Sequence, residues 1–141
     1  MFHWTVRVYY EDTDSGGVVY YANYLKFMER ARTEWLRNLG YEQDVLSTQY
    51  GIVFAVRSVA IDYLRPARFN DLLHVSARLD THRAAELCFA QTVTRARGKD
   101  ETPGSGEVLC SAEVKVVCVD SSSFRPRRIP EKLLAETLSE P

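Results

Sequence analysis

Three acids fall within four residues at Glu11, Asp12 and Asp14; Gly16 and Gly17 follow, and a tyrosine-rich run through Tyr20, Tyr21 and Tyr24 leads into a segment with helical spacing. Clustered carboxylates can hold a hard cation, attack a carbonyl as base or nucleophile, or sit in a solvated turn that also caps a helix. A calcium loop fails on position: counting Asp12 as first puts Gly16 fifth and Asn23 twelfth, where a bidentate Glu is required. A magnesium phosphotransferase site would sit at the carboxyl ends of parallel strands joined by crossover helices, and no such alternation occurs. His3, His74 and His82 are scattered, with no zinc-ligand spacing to another His or Cys. Metal chemistry is not expected.

The elements that must position these acids can be read from periodicity. Residues 2–10 alternate, Val6, Val8 and Tyr10 on one side and Thr5, Arg7 and Tyr9 on the other, as a half-buried strand does. Over residues 22–39 there is no Gly or Pro, and Tyr24, Phe27, Met28, Ala31 and Trp35 form one helical stripe that Gly40 ends. Lys26, Arg30, Glu34 and Arg37 fall on other, solvated faces, and a short helical piece is expected near 44–49. Residues 52–64, 72–80, 87–96 and 108–119 are rich in apolar and β-branched residues and are divided by polar breaks, including GKDETPGSGE at 98–107. Four strands in series with no helix between them read as an antiparallel meander. The expected class is α+β: about five antiparallel strands packed on, or wrapped around, one long helix.

Size and composition set the outer bounds. A chain of 141 residues with 45% apolar residues is expected to form one domain over 1–141, with a tail from 121 that closes in a helical turn or two. Eighteen basic against 19 acidic residues supply no general attraction for nucleic acid or an anionic membrane, so an anionic ligand needs a local cluster. Cys88, Cys110 and Cys118 lack CxxC spacing and lie in apolar runs, as reduced core thiols of a cytoplasmic protein would. No apolar run reaches the ~18 residues needed to span a bilayer, and no stable membrane insertion is expected.

A helix start carries unpaired N–H groups and about half an elementary positive charge, so it keeps a neighbouring carboxylate ionised and can polarise a carbonyl oxygen. Gly16 and Gly17 allow a tight turn or a close approach. A carboxylate, a donor-rich helix start and a steric opening are the parts needed to attack an acyl carbonyl. On residues alone, this reading stands beside the simpler one of turn and capping residues.

The run Y-x-D-T-D-x-x-G-V-V-Y-Y-x-x-Y-L-x-x-M-E-x-A-R from Tyr10 to Arg32 resembles the hotdog-fold acyl-CoA thioesterases. Within them it is most similar to the 4-hydroxybenzoyl-CoA thioesterase group, and there to the Tol-Pal system-associated acyl-CoA thioesterases. YLRPARFNDLL at 63–73 and AEVKVVCVD at 112–120 extend the likeness.

The resemblance implies an antiparallel sheet curled around the long helix, subunits paired so that their sheets continue, and active sites at the subunit boundary of a homodimer or homotetramer. Asp14 matches the catalytic carboxylate, as nucleophile or general base, and Tyr21 the position whose backbone N–H polarises the thioester oxygen. Many Tol-Pal-associated relatives carry a His where Tyr21 stands, which leaves the acyl group open. Gly17 matches the glycine of close approach, Tyr20 and Tyr24 are candidates for the acyl pocket, Asp12 for orienting the loop, and Glu29 for a recurring acid with a packing, ion-pair or catalytic role. Arg83, Arg127 and Arg128 fall where phosphate-contacting basic residues are placed. The implied substrate is acyl-CoA, with acyl carrier protein as a further acyl donor and no cofactor or metal implied; a non-catalytic acyl-CoA-binding or partner-docking hotdog is the alternative.

Overall fold

The computed structural model describes residues 1–98 and 101–138; the loop assignment at Lys99 and Asp100 and the tail assignment at 139–141 lie outside the described residues. In chain order come β1 (Phe2–Arg7), a 3₁₀ turn (Tyr10–Asp12), α1 (Asn23–Asn38), α2 (Gln43–Val45) running on as a π-helical turn (Leu46–Tyr50), β2 (Ile52–Tyr63), β3 (Leu72–His82), β4 (Glu86–Ala96), β5 (Glu107–Asp120) and α3 (Glu131–Leu138). Among the described residues no helix is long and apolar enough to cross a membrane.

All pairings between strands are antiparallel, in the order β1-β3-β4-β5-β2. The expectation of a simple meander is therefore corrected for one strand. Consecutive hairpins join β3, β4 and β5, but β2 lies on the far edge beside β5. The 64–71 connection does not fold back as a hairpin. It crosses the end of the sheet, where the N–H groups of Leu64 and Arg65 both donate to Leu109 O, and then runs on to β3. The first strand is also shorter than its alternation suggests, because Asp12 Oδ2 accepts the Tyr9 N–H at 2.9 Å and bends the chain into the 3₁₀ turn.

The predicted stripe of α1, Tyr24, Phe27, Met28, Ala31 and Trp35, is buried throughout. It meets one face of the sheet, formed by Leu73, Val75 and Ala77 of β3, Phe89 and Val93 of β4, and Cys110 and Val114 of β5. The Trp35 ring stands edge-on to Phe89 at 5.0 Å, and burying a large side chain of this kind stabilises the fold by roughly 1.5–3 kcal/mol. One polar residue interrupts the apolar face. Gln91, 1% exposed, donates to Met28 O and Ser76 O and accepts from Arg32 Nη1, so its amide is fully used in binding helix to sheet.

All three cysteines are unpaired and buried, and burial pushes the Cys110 thiol up to about 12 and that of Cys118 to about 11. They behave as inert core thiols. On β2, by contrast, Val56, Val59 and Tyr63 share the helix-facing side with Val116, Val114 and Cys110 of β5 yet remain 52%, 38% and 44% exposed. That edge leaves apolar surface uncovered.

Candidate active site

Asp14 opens a tight turn. Its N–H donates to Val18 O, its carbonyl accepts from Gly17 N, and its Oδ1 accepts from Gly16 N at 2.8 Å. A Cβ on Gly16 would stand 3.2 Å from Oδ1, and Gly17 has φ +78°, so each glycine shapes this turn for a different reason. Oδ2 has no hydrogen-bond partner among the described residues. The carboxylate is thus exposed, held by one oxygen and open at the other.

Asp12 does different work. Its carboxylate accepts from Tyr9 N, while its carbonyl accepts from Tyr20 N and from Asn23 Nδ2 at 2.9 Å each, which fastens the acid loop to the entry of α1. Neither acid caps that helix. The α1 N-cap is Ala22, without a side-chain cap and with no acid in the first turn, so the capping reading of Asp12 and Asp14 is set aside. The N–H groups of Tyr21 and Ala22 find no partner among the described residues. They supply the unpaired donors and uncompensated positive end expected of a bare helix start.

Beside this entry lies an open cleft of about 270 Å³, lined by Val19, Tyr21, Tyr24, Tyr63, Leu64 and Pro66 among others. Tyr24 is both wall and core: it is 3% exposed and its hydroxyl accepts the Ala67 N–H at 2.9 Å. Burial, more than any neighbour, pushes its phenol upward, so it stays neutral. Tyr20 is exposed, its ring 4.9 Å from that of Tyr21. A broader hollow of about 590 Å³ lies near His3 and Gly104; the smaller cleft is set apart by adjoining the helix entry that the acid loop is tied to, although Asp14 itself is not among its lining residues. Glu29 is exposed on α1, and its charge acts upward on Arg32, whose guanidinium is shifted down chiefly by burial.

The three arginines lie elsewhere. Arg83 sits in the β3–β4 turn, and the tail passes directly over that turn: Cys118 N donates to Ala85 O, Arg127 N to Cys118 O and Ile129 N to Ala84 O. Arg83, Arg127 and Arg128, all exposed, thus share one end of the sheet. Arg127 is engaged there, donating to Gly51 O at 3.0 Å and lying 3.6 Å from Asp120 Oδ2. The acid loop is at the opposite end, bridged through Val18 to Arg68 and through Val8 to Asp71. Since β3 separates the two ends by 11 residues, or roughly 35 Å along an extended strand, one chain does not bring Asp14 and these arginines together.

Several supporting residues escaped the sequence reading. Arg95 donates to Pro66 O at 2.6 Å and pairs with Asp71 at 3.3 Å, which braces the crossover that receives Val19 N and Tyr24 Oη at Ala67. Tyr63, at the end of β2, donates to Tyr21 O. Pro66 falls in the break between the segments 52–64 and 72–80, but nothing local showed what that break would touch.

Residues 8–137 match the thioesterase-like superfamily, and the chain belongs to it. The likeness read from Tyr10 to Arg32 therefore holds across nearly the whole length. The chain is 42% identical over 136 residues to the acyl-CoA thioester hydrolase YbgC of Escherichia coli, covering 96% of this chain and 95% of that protein. Among solved structures, a probable thioesterase from Bartonella henselae is 33% identical with a TM-score of 0.80, over 91% of this chain and 98% of that one. A 1,4-dihydroxy-2-naphthoyl-CoA thioesterase from Synechocystis, 22% identical with a TM-score of 0.85 over 98% and 96% of the two chains, shares the fold. The α+β hotdog class expected from the sequence is borne out.

Proposed function

We propose that this chain is an acyl-CoA thioester hydrolase in which Asp14 is the catalytic carboxylate. The observation that carries the reading is the state of that side chain: Oδ1 is fixed by Gly16 N, and Oδ2 lies on a loop tied through Asp12 to a helix start, where Oδ2 and the Tyr21 and Ala22 N–H groups have no partner among the described residues. The Tyr21 N–H polarises the thioester oxygen and stabilises the charge that develops on it. Oδ2 can attack the carbonyl carbon, forming a mixed anhydride and expelling the CoA thiolate, after which water cleaves the anhydride. Alternatively, it takes a proton from the water that attacks. Both routes end in free acid and CoA. Tyr20 and Tyr24 face the acyl group, and Gly17 lets it approach.

The exposed apolar side of β2 supports a homodimer in which two β2 edges pair and the sheets continue, since an uncovered edge of 12 residues invites such pairing. Arg83, Arg127 and Arg128 then contact the CoA phosphates from a neighbouring copy, and dimers pair again into tetramers. The protein works in the cytoplasm as one hotdog domain without cofactor, and acyl carrier protein is a further acyl donor.

Thiol release from short aliphatic, long aliphatic and aromatic CoA esters tests this reading, with Asp14→Asn run alongside. Turnover of at least one ester, falling by about two or more orders of magnitude in the folded variant, supports it. Equal rates would remove Asp14 from the mechanism, and binding without turnover would select the non-catalytic alternative. After single turnover in ¹⁸O water, label in the Asp14 carboxylate would select the anhydride route with water attacking the Asp14 carbonyl, because general-base catalysis places the label only in the acid product.

A further inference from the structure

The peptide groups at the entry of α1 are held one by one. Tyr20 O accepts from Asn23 N, and because a trans peptide sends its C=O and N–H in opposite directions, the Tyr21 N–H points away from the helix body. Tyr21 O is held differently. In a regular helix its donor would be the N–H four residues on, at Leu25. Leu25 N bonds to Ala22 O instead, at 3.2 Å, and Tyr21 O accepts from the Tyr63 hydroxyl at 3.2 Å. A side chain on β2 thus stands in for a helical donor and holds Tyr21 outside α1.

We infer that Tyr63 is a positioning residue for the reaction: its hydroxyl anchors the Tyr21 carbonyl, which fixes the Tyr21–Ala22 peptide plane, and so holds the backbone angles of Tyr21 that set its own N–H, one peptide back, toward the thioester oxygen. The inference rests on the thioesterase reading and adds a residue that the loop motif does not contain. Without the hydroxyl, Tyr21 O is free to take Leu25 N, the helix gains a residue at its start, the Tyr21–Ala22 peptide turns, and the changed backbone angles of Tyr21 re-aim its N–H. The ring contributes separately. It packs against Tyr24 at 5.7 Å and Tyr21 at 6.1 Å as part of the cleft wall, which Phe would preserve. Burial, then the neighbouring Cys110 and Tyr21, push the Tyr63 phenol upward, so it remains a donor throughout the neutral range.

Tyr63→Phe keeps the wall and deletes the hydroxyl. The expected result is a kcat lower by about tenfold with KM within about twofold, because an amide aimed at developing charge acts mainly on the transition state. The melting temperature should stay within about 4 °C, as befits one partly exposed hydrogen bond, and amide exchange at Leu25 should slow as it takes up Tyr21 O. A kcat equal to wild type overturns the inference, as does a loss confined to KM, since either would make Tyr63 only a wall. Asp14→Asn measured alongside separates the two claims. Loss in Asp14→Asn with none in Tyr63→Phe leaves the thioesterase and removes the positioning role; loss in Tyr63→Phe alone removes Asp14 and keeps Tyr63. A wild-type chain inert toward every ester overturns both.

Discussion

The Tyr24 hydroxyl accepts the backbone N–H of Ala67 at 2.9 Å, which ties the first turn of α1 to the crossover between β2 and β3. The same crossover residue accepts Val19 N through its carbonyl. Ala67 is therefore gripped from both sides by the segment that carries the acid loop. Tyr24→Phe would leave a buried N–H unpaired and should lower stability by about 1–2 kcal/mol. A denaturant titration should show an earlier midpoint at unchanged slope; an unchanged midpoint would mean that the N–H finds another partner.

Arg83 and Arg127 should separate in their effects. Arg83 has an exposed side chain with no ion pair among the described residues, so Arg83→Ala should raise KM for acyl-CoA about tenfold and leave kcat within about twofold. The matching thioester of pantetheine lacks the phosphates and should be hydrolysed equally by both forms. Arg127→Ala should also destabilise the protein, because it removes the bond to Gly51 O and the pairing with Asp120. Unchanged KM in Arg83→Ala would take this end of the sheet out of CoA binding.

Subunit pairing through β2 predicts a mass change. Val56→Asp and Val59→Asp put charge on the apolar side of the edge without touching the acid loop. Light scattering should shift from a multimer to a monomer of 16.1 kDa, with loss of turnover if phosphate binding crosses between copies. Retained assembly would place the interface elsewhere.

His3 gives the stability a pH dependence of known sign. Burial depresses its pKa below 6.5 and outweighs the raising effect of the Met1 backbone, while the charges of His74 and the N-terminus depress it further. The unfolded chain therefore binds more protons as pH falls below 6.5. The contribution is full above that value and is lost as pH drops through the lower folded value. Melting curves from pH 7.5 to 5 should fall less steeply in His3→Gln than in wild type. Identical slopes would show that His3 does not titrate differently on folding.

The helix was legible because its information is local: the spacing from Tyr24 to Trp35 states which face is buried, and every member of that stripe is. The acid loop was legible as residue types, since Asp14, Gly16 and Gly17 build their turn from near neighbours. The position of β2 was not. Whether a strand pairs with its successor or with β5 depends on contacts more than forty residues distant, such as Phe54 opposite Cys118, and an alternating pattern is the same on either edge. Tyr63 and Arg95 were hidden for the same reason. Each acts on a backbone carbonyl, Tyr21 O or Pro66 O, that any residue would supply.

The Gln91 amide has a consequence for distance. An apolar stripe alone would tolerate α1 sliding along the sheet by a turn, a displacement of about 5.4 Å, since similar side chains recur at that interval. Gln91 reaches Met28 O, Ser76 O and Arg32 at a single axial setting, and any other would strand a buried amide. One neutral side chain in the middle of β4 thus gauges how far α1 projects, and with it where its first N–H groups stand beside the cleft.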